Sequence, residues 1–293
     1  MTRIRSTNKG RIQDRRGSGG GGGFGFPGLG GGGFPGGGFG MGGGVLGIIV
    51  LLAAFVLPKL LGSGGGQGVS DSGESSNSAT CETELEQVVC GVTNDVQDYW
   101  SGALPQSYGT NYQYTDTVWF TDGVSTGCGQ ASSQTGPFYC PADGLVYIDL
   151  GFMQQLEEQL VGQTTDLAEQ YILAHEYGHH IQNLLGTSAQ VQQAEQNDPS
   201  RANQYSIALE LQADCYAGVW VGARNVLENE AELQEAIAAA EGVGDDRIQE
   251  QNQGRIDRDS WTHGSAEQRR TWFLTGYNTK DPRACDATFD EIQ

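Results

Sequence analysis

A single apolar run divides this chain of 293 residues into two unlike parts. Residues 45–61 read VLGIIVLLAAFVLPKLL, and Lys59 is the only charged residue among them. The flanking sequence is rich in Gly and Ser and offers no core that the run could join. A helix of this length spans about 26 Å, which crosses a hydrocarbon layer of about 30 Å once, with some thinning. The run therefore predicts one transmembrane helix, and a buried core helix is the alternative.

The sequence on either side of the run predicts its orientation. Residues 1–16 carry six basic side chains and one acidic side chain, and residues 17–44 contain 19 of the 46 glycines. Because such sequence cannot bury enough apolar surface to offset its ordering entropy, we predict that residues 1–44 form a disordered arm. Positive charge favours the cytoplasmic side of a membrane, which places the arm in the cytoplasm. Residues 62–79 then form a flexible linker to an exported domain, residues 80–293.

The exported part is strongly acidic. Beyond Gly62 there are nine basic and 35 acidic residues, which gives this part a formal charge of −26, against −20 for the whole chain. A surface of this charge repels phosphate backbones, so direct binding of nucleic acid is excluded.

All six cysteines lie beyond the apolar run, and an even number in an oxidising compartment favours three disulfides. Fifteen pairings are possible for six cysteines. Short loops suggest Cys81–Cys90 and Cys128–Cys140, which leaves Cys215–Cys285. Buried free thiols are the alternative.

The exported domain is predicted to be α+β, because short strands come first and helices follow without βαβ alternation. The predicted strands are Val118–Thr121, Pro137–Cys140 and Leu145–Leu150. The predicted helices are 82–100, 152–161, 166–185, 203–222, 229–240 and 265–275.

A motif with the chemistry of a metal site lies in the helix predicted over 166–185. The sequence HEYGH begins at His175 and ends at His179, so two imidazoles four residues apart share one helix face and can reach one zinc ion. Glu176 lies one residue further round, where it can contact a metal-bound water. Because His180 points about 100° away from His179, we assign it a packing or surface role.

Two carboxylates on the next long helix could complete the site. Glu210 and Asp214 are again four residues apart and share one face. One can bind the metal while the other accepts an N–H from a ligating imidazole. A solvated acidic face is the alternative in so acidic a chain.

The combination HExxH followed by ExxAD resembles the gluzincin zinc peptidases. Over most of its length the chain is similar to the bacterial neutral zinc metallopeptidase family, a membrane-anchored group. The shared motifs are IQDRRG, the Gly-rich arm, the single membrane segment, GCGQASSQTGPFYCPADGLVYIDL, HEYGHHIQ, ELQADCYAGVW and THGSAEQRRTWFLTGY.

The resemblance implies a zincin-like fold, with active-site helices and a small mixed or antiparallel sheet. It implies one Zn²⁺ per chain, bound by His175, His179 and Glu210. Glu176 would be the catalytic residue that activates a zinc-bound water, and Asp214 would orient a ligand, with His175 the expected partner.

The oxyanion of peptide hydrolysis needs a second donor besides zinc. His263 is the candidate catalytic residue for this role, since it is the remaining imidazole and precedes a helix, although it could instead cap that helix. Tyr277 is a weaker candidate. By analogy with zincins, Leu145–Leu150 is the expected edge strand for pairing with an extended substrate.

The expected function is therefore that of a single-pass membrane-anchored zinc metalloendopeptidase. Its partners would be the membrane and a peptide or protein substrate, with the N-terminus cytoplasmic and the catalytic domain extracytoplasmic. The alternatives are a zinc hydrolase acting on cell-wall peptides and a non-enzymatic quality-control or assembly module with a structural zinc.

Overall fold

The computed structural model of the chain describes residues 4–17, 80–160 and 166–292. Over these residues the fold is α+β, mostly helical with a small mixed sheet, as the order of predicted elements indicated. The predicted transmembrane helix, residues 45–61, and the predicted linker, residues 62–79, lie outside the described residues. Among the helices that are described, none is both long enough and apolar enough to cross a bilayer.

The described part of the chain contains eight α-helices. They are α1 (Glu84–Tyr108), α2 (Leu150–Leu160), α3 (Asp166–Leu185), α4 (Thr187–Asn197), α5 (Ala202–Arg224), α6 (Glu230–Gly242), α7 (Asp245–Gln253) and α8 (Ala266–Thr279). Short 3₁₀ helices cover Ser133–Thr135, Pro199–Arg201, Arg258–Ser260 and Pro282–Ile292. Helices α4 and α7 were not predicted, because both are polar and lack a clear apolar face.

Local capping explains where α1 begins and ends. The Thr83 side chain accepts a hydrogen bond from the backbone N–H of Glu86, and the Glu86 carboxylate accepts one from the backbone N–H of Thr83. The helix runs beyond the predicted 82–100 because Leu104 is fully buried. It ends at Gly109, whose φ of 70° is readily adopted by glycine.

Six short strands form two sheets in the described residues. They are β1 (Ile12–Asp14), β2 (Thr117–Phe120), β3 (Gly123–Thr126), β4 (Gly129–Ser132), β5 (Phe138–Cys140) and β6 (Leu145–Asp149). The larger sheet has the order β1-β2-β6-β5, in which β1, β2 and β6 are parallel and β5 is antiparallel to β6. Strands β3 and β4 form a separate hairpin.

This order corrects the prediction that Leu145–Leu150 is an edge strand. Strand β6 is internal, since β2 and β5 pair with its two sides, and Leu150 already belongs to α2. The edge on that side of the sheet is β5. Alternation along one strand does not reveal how many neighbours the strand has, so the sequence could not distinguish the two.

Helix α5 is the centre of the fold and is held against α8 by closely approaching backbones. A Cβ added at Gly218 would lie 2.0 Å from the carbonyl oxygen of Phe273, and one at Gly276 would lie 2.0 Å from that of Cys215. Glycine is therefore required at both positions for this packing. The close contact fixes α5, which carries two of the predicted site residues.

The three disulfides have the predicted pairing. Cys81–Cys90 and Cys128–Cys140 close short loops, and Cys215–Cys285 joins α5 to the last 3₁₀ helix. All six sulfurs are therefore used, and no described cysteine is free.

Residues 4–17 differ from the predicted disordered arm of residues 1–44. They pack on the domain, and β1 extends the larger sheet by pairing with β2. Ile12 is 7% exposed and belongs to the main hydrophobic core. The prediction missed this strand because its short sequence, IQD, contains one apolar residue and adjoins a Gly-rich stretch.

Candidate metal centre

Helix α3 carries the HEYGH motif and is fixed on its opposite face. Tyr177 is fully buried, and its hydroxyl lies 2.9 Å from the hydroxyl of Thr117 on β2. Gly178 allows α5 to approach, because a Cβ there would lie 2.9 Å from the Cα of Ala213. The motif glycine therefore brings the two helices that carry the predicted ligands close together.

The two motif imidazoles converge on one carboxylate of α5. His175 Nε2 lies 3.2 Å from Glu210 Oε2, and His179 Nε2 lies 3.4 Å from Glu210 Oε1. One ligand atom from each of the three side chains lies within 4.8 Å of the others. Glu210 is 3% exposed, so its carboxylate is neither solvated nor part of a surface acidic face.

Both imidazoles are oriented through their Nδ1 atoms. His175 Nδ1 lies 2.8 Å from Asp214 Oδ1, and His179 Nδ1 lies 2.9 Å from Gln182 Oε1. Gln182 Nε2 donates to the carbonyl of Leu209, which leaves its Oε1 as the acceptor that faces His179. Each imidazole thus donates through Nδ1, and its Nε2 is the ring nitrogen that faces the place of a metal. These two nitrogens and one carboxylate fit the ligand set of zinc.

Asp214 is the centre of a buried hydrogen-bond network. Arg269 donates to both of its carboxylate oxygens at 2.8 Å, and the Tyr171 hydroxyl donates to Oδ1 at 2.5 Å. Burial disfavours the charged carboxylate, but Arg269 and His175 together outweigh burial and lower the pKa of Asp214. Asp214 therefore stays ionised beside His175.

The same charges act on the ligands. Burial opposes protonation of His175, but Asp214 and Glu210 outweigh it and raise the pKa of His175 to about 10. The pKa of His179 is raised in the same way, against burial, chiefly by Glu210. Burial opposes ionisation of Glu210, yet the two imidazoles hold its pKa well below the usual range.

Glu176 lies beside this group and has a different environment. It is 8% exposed, and burial raises the pKa of its carboxyl, partly offset by the charges of His179 and His175. A backbone hydrogen bond from Tyr139 on β5 also reaches it. A buried carboxyl with a raised pKa, next to a metal site, can act as a general base and acid.

A cavity of about 100 Å³ opens onto the site. Its wall includes His175, Glu176, His179 and Glu210, and the rest of the wall is mostly apolar. The apolar part is formed by Pro137, Phe138, Tyr139, Pro141, Ile172, Leu209 and Val243. The first four come from β5 and its flanks, so this edge strand and not β6 borders the site.

His263 also lines this cavity. Asp245 accepts hydrogen bonds from the backbone N–H groups of Thr262, His263 and Gly264, and its Oδ1 lies 3.1 Å from His263 Nδ1. His263 is 4% exposed, and its Nε2 has no hydrogen-bond partner among the described residues. The alternative that His263 caps α8 is wrong, because the Ser265 side chain caps that helix.

The remaining sequence candidates lie outside the cavity wall. His180 is buried between the Tyr139 hydroxyl and the carbonyl of Gln113, which agrees with its predicted packing role. Tyr277, the weaker oxyanion candidate, stacks on Phe273 and faces α5.

Four residues of the site were missed by the sequence reasoning: Tyr171, Gln182, Asp245 and Arg269. Tyr171 and Gln182 stand four positions before His175 and three after His179, where helix periodicity would have placed them beside the ligands. Asp245 and Arg269 come from distant segments, and only the tertiary fold brings them to the site.

Comparison with known proteins gives one family. The family model described as “Putative neutral zinc metallopeptidase” matches residues 1–289. The Uncharacterized protein YpfJ of Escherichia coli K12 is 41% identical over 279 residues, 94% of each chain. The Uncharacterized protein Rv2575 of Mycobacterium tuberculosis H37Rv is 44% identical over 210 residues, 68% of this chain and 69% of that one. No protein of solved structure matches the chain.

Proposed function

This chain belongs to the neutral zinc metallopeptidase family, and on that premise we propose that it is a zinc-dependent metalloendopeptidase. His175, His179 and Glu210 would hold the metal. Glu176 would transfer the proton, and Asp214 would orient His175.

The observation that carries the proposal is the convergence of three buried side chains beside a cavity. Two Nε2 atoms face the carboxylate of Glu210, while acceptors occupy both Nδ1 atoms. A structural zinc site is normally closed by four protein ligands. The group found in residues 4–17, 80–160 and 166–292 has three, and it borders open space.

Zinc bound there would supply a Lewis acid that polarises a carbonyl oxygen and acidifies water. Glu176 takes a proton from the attacking water and passes it to the departing amine nitrogen as the C–N bond breaks. Carrying a proton on both ring nitrogens, His263 would donate through Nδ1 to Asp245, which holds the ring in place, and through Nε2 to the oxygen on which negative charge develops. Arg269 and Tyr171 keep Asp214 charged and fixed against His175.

A polypeptide substrate is favoured by the free edge of the sheet. Strand β5 pairs with β6 on one side, and no described strand pairs with its other side. An extended peptide could add to such an edge through backbone hydrogen bonds. Because β5 also borders the cavity, a peptide bound there would pass the ligand group.

The compartment is part of the proposal. Three disulfides favour an oxidising environment, and hence a domain outside the cytoplasm. Contact with a membrane through residues 45–61 is a prediction from the apolar sequence of that run.

The test compares zinc-loaded full-length protein with its Glu176→Gln variant on an unbiased peptide mixture, read by mass spectrometry. The full chain is used because β1 completes the sheet. We expect one zinc per chain in both proteins and a loss of cleavage of about 10²–10⁴-fold in the variant. Glu230→Gln, on the exposed start of α6, is the matched control and should cleave normally.

Two results would contradict the proposal. One is equal cleavage by the wild type and Glu176→Gln. The other is a wild-type protein that binds one zinc and leaves every peptide intact.

A further inference from the structure

The segment over residues 4–17 is tied to the domain by backbone hydrogen bonds along its length. The amide of Ser6 donates to the carbonyl of Gln87 at 2.8 Å, and the amide of Cys81 donates to that of Thr7 at 3.0 Å. Asn8 and Thr80 form an antiparallel bridge.

Further along, β1 adds to the sheet in register with β2. The amide of Thr117 donates to the carbonyl of Arg11, and the amide of Arg15 donates to that of Trp119, both at 2.9 Å. Ile12 is buried in the main core. The segment is thus a structural part of the domain.

Basic side chains of the segment pair with acids of the domain. Arg5 makes two hydrogen bonds to the carboxylate of Asp166, at 2.8 and 2.9 Å. Arg16 lies 2.7 Å from Glu86, which is 6% exposed. Arg11 lies 3.6 Å from Asp116. Three of the six basic residues that predicted a cytoplasmic arm are therefore used to hold the domain together.

The steric fit between segment and domain is close. A Cβ added at Gly91 on α1 would lie 2.8 Å from the Cα of Arg5 and from the carbonyl oxygen of Ile4. Backbone meets backbone here, so a side chain could be accommodated only by moving the segment. The surface of α1 at Gly91 therefore fits the backbone of the segment closely.

The path of the chain makes this docking incompatible with a single membrane crossing. The described N-terminal segment ends at residue 17, and the described chain resumes at Thr80, which pairs with Asn8. The apolar run between these points, residues 45–61, is long enough for one crossing of about 30 Å, and a crossing with a return would need about 40 apolar residues. With one crossing, the two sides of the bridge would lie in different compartments.

We propose that residues 4–17 and the domain fold together in the same compartment, which rules out a single crossing of a membrane by the chain between residue 17 and Thr80. The N-terminus would then share the compartment of the domain, in place of the expected cytoplasmic one. This placement does not depend on the proposed catalytic function.

A disulfide cross-link tests the docking in the full-length protein. Asn8 and Thr80 are exposed and face each other in an antiparallel bridge, where Cα separations of about 4.5–5.5 Å suit a disulfide. We expect the Asn8→Cys/Thr80→Cys variant, isolated from membranes and denatured without reductant, to resist a polyethylene glycol maleimide. Each single variant should take up one polyethylene glycol chain.

Labelling of single cysteines tests the compartment. Spheroplasts carrying Asn8→Cys or Glu230→Cys are treated with a membrane-impermeant maleimide before and after permeabilisation. We expect both positions to give the same pattern, with less than a twofold difference. Labelling of the two positions from opposite sides, or a double variant whose thiols both stay free, would overturn the proposal. Neither readout involves catalysis, so an inactive protein would still answer the question.

Discussion

Arg269 holds both carboxylate oxygens of Asp214, with Nε donating to Oδ2 and Nη2 donating to Oδ1, each at 2.8 Å. Asp214 in turn contacts the Nδ1 atom of His175. A residue on α8, 55 positions away from Asp214, thus controls the orientation of a proposed metal ligand.

Replacing this arginine by lysine tests the network. Arg269→Lys keeps the charge but loses the planar fork that reaches two oxygens. We expect zinc affinity to fall about 10–100-fold, measured by titration against a competing chelator. Arg270→Lys is the matched control, because Arg270 is half exposed and pairs only at 3.8 Å with Glu241. Equal zinc affinities for the two variants would show that the two hydrogen bonds from Arg269 to Asp214 are not needed for metal binding.

His263 is expected to affect turnover and not metal binding. It lines the cavity but is not part of the three-residue ligand group. His263→Ala should lower kcat about 10²–10³-fold with unchanged zinc content, since it removes one donor to the developing oxyanion. Asp245→Asn should have a smaller effect of the same kind. Loss of zinc from His263→Ala would instead identify this residue as a ligand.

The packing of α5 on α8 should be sensitive to one methyl group. Gly218→Ala places a Cβ against the backbone of Phe273, and overpacking of this kind costs about 1–3 kcal/mol. Thermal unfolding should show a Tm lowered by about 2–12 °C. Gly102→Ala is the control, because the space around that exposed helical glycine is open. It should raise the Tm slightly, and a similar loss in both variants would rule out a specific packing effect.

Acid should loosen the docking of residues 4–17. Burial opposes ionisation of Glu86, but the backbone amides of Thr83 and Glu82, together with Arg16, lower its pKa below the ordinary 4.5. A lowered folded-state pKa contributes stability that is present above pH 4.5 and is lost as the pH falls through the folded value.

The Arg16→Gln variant makes this dependence measurable. It should lower the free energy of unfolding at pH 7 by about 1–3 kcal/mol, because a charge-assisted hydrogen bond to a buried carboxylate is lost. The difference from wild type should shrink as the pH falls towards 3, because Glu86 gains a proton as the pH passes its lowered pKa and then no longer offers a charge to Arg16. Urea unfolding followed by tryptophan fluorescence gives both values, and a difference that grows at pH 3 would contradict the assignment.

The part of the site that could be predicted from sequence is the part set by helix periodicity. His175 and His179, and likewise Glu210 and Asp214, are pairs four residues apart, so each pair had to share a helix face. That the two faces meet depends on Gly178, where the backbone of α5 lies against the backbone of α3.

The sequence analysis missed the contacts that helix periodicity does not predict. Asp245 binds three successive backbone amides of the His263 loop, and no local pattern around either segment indicates this. The internal position of β6 was missed for a related reason. Strand neighbours are decided by tertiary pairing: β6 lies between β2 and β5, and the other side of β2 is paired with β1, which is far from the rest of the sheet in the sequence.

The position of β1 also has a consequence for the time course of folding. Gln13 and Asp116, which hydrogen-bond at this sheet edge, are 103 positions apart. The strand is therefore synthesised long before its partner, and parallel pairing across such a separation is intrinsically slow. We expect this edge to close last. Until it does, β2 presents unpaired backbone groups to which another nascent chain could add.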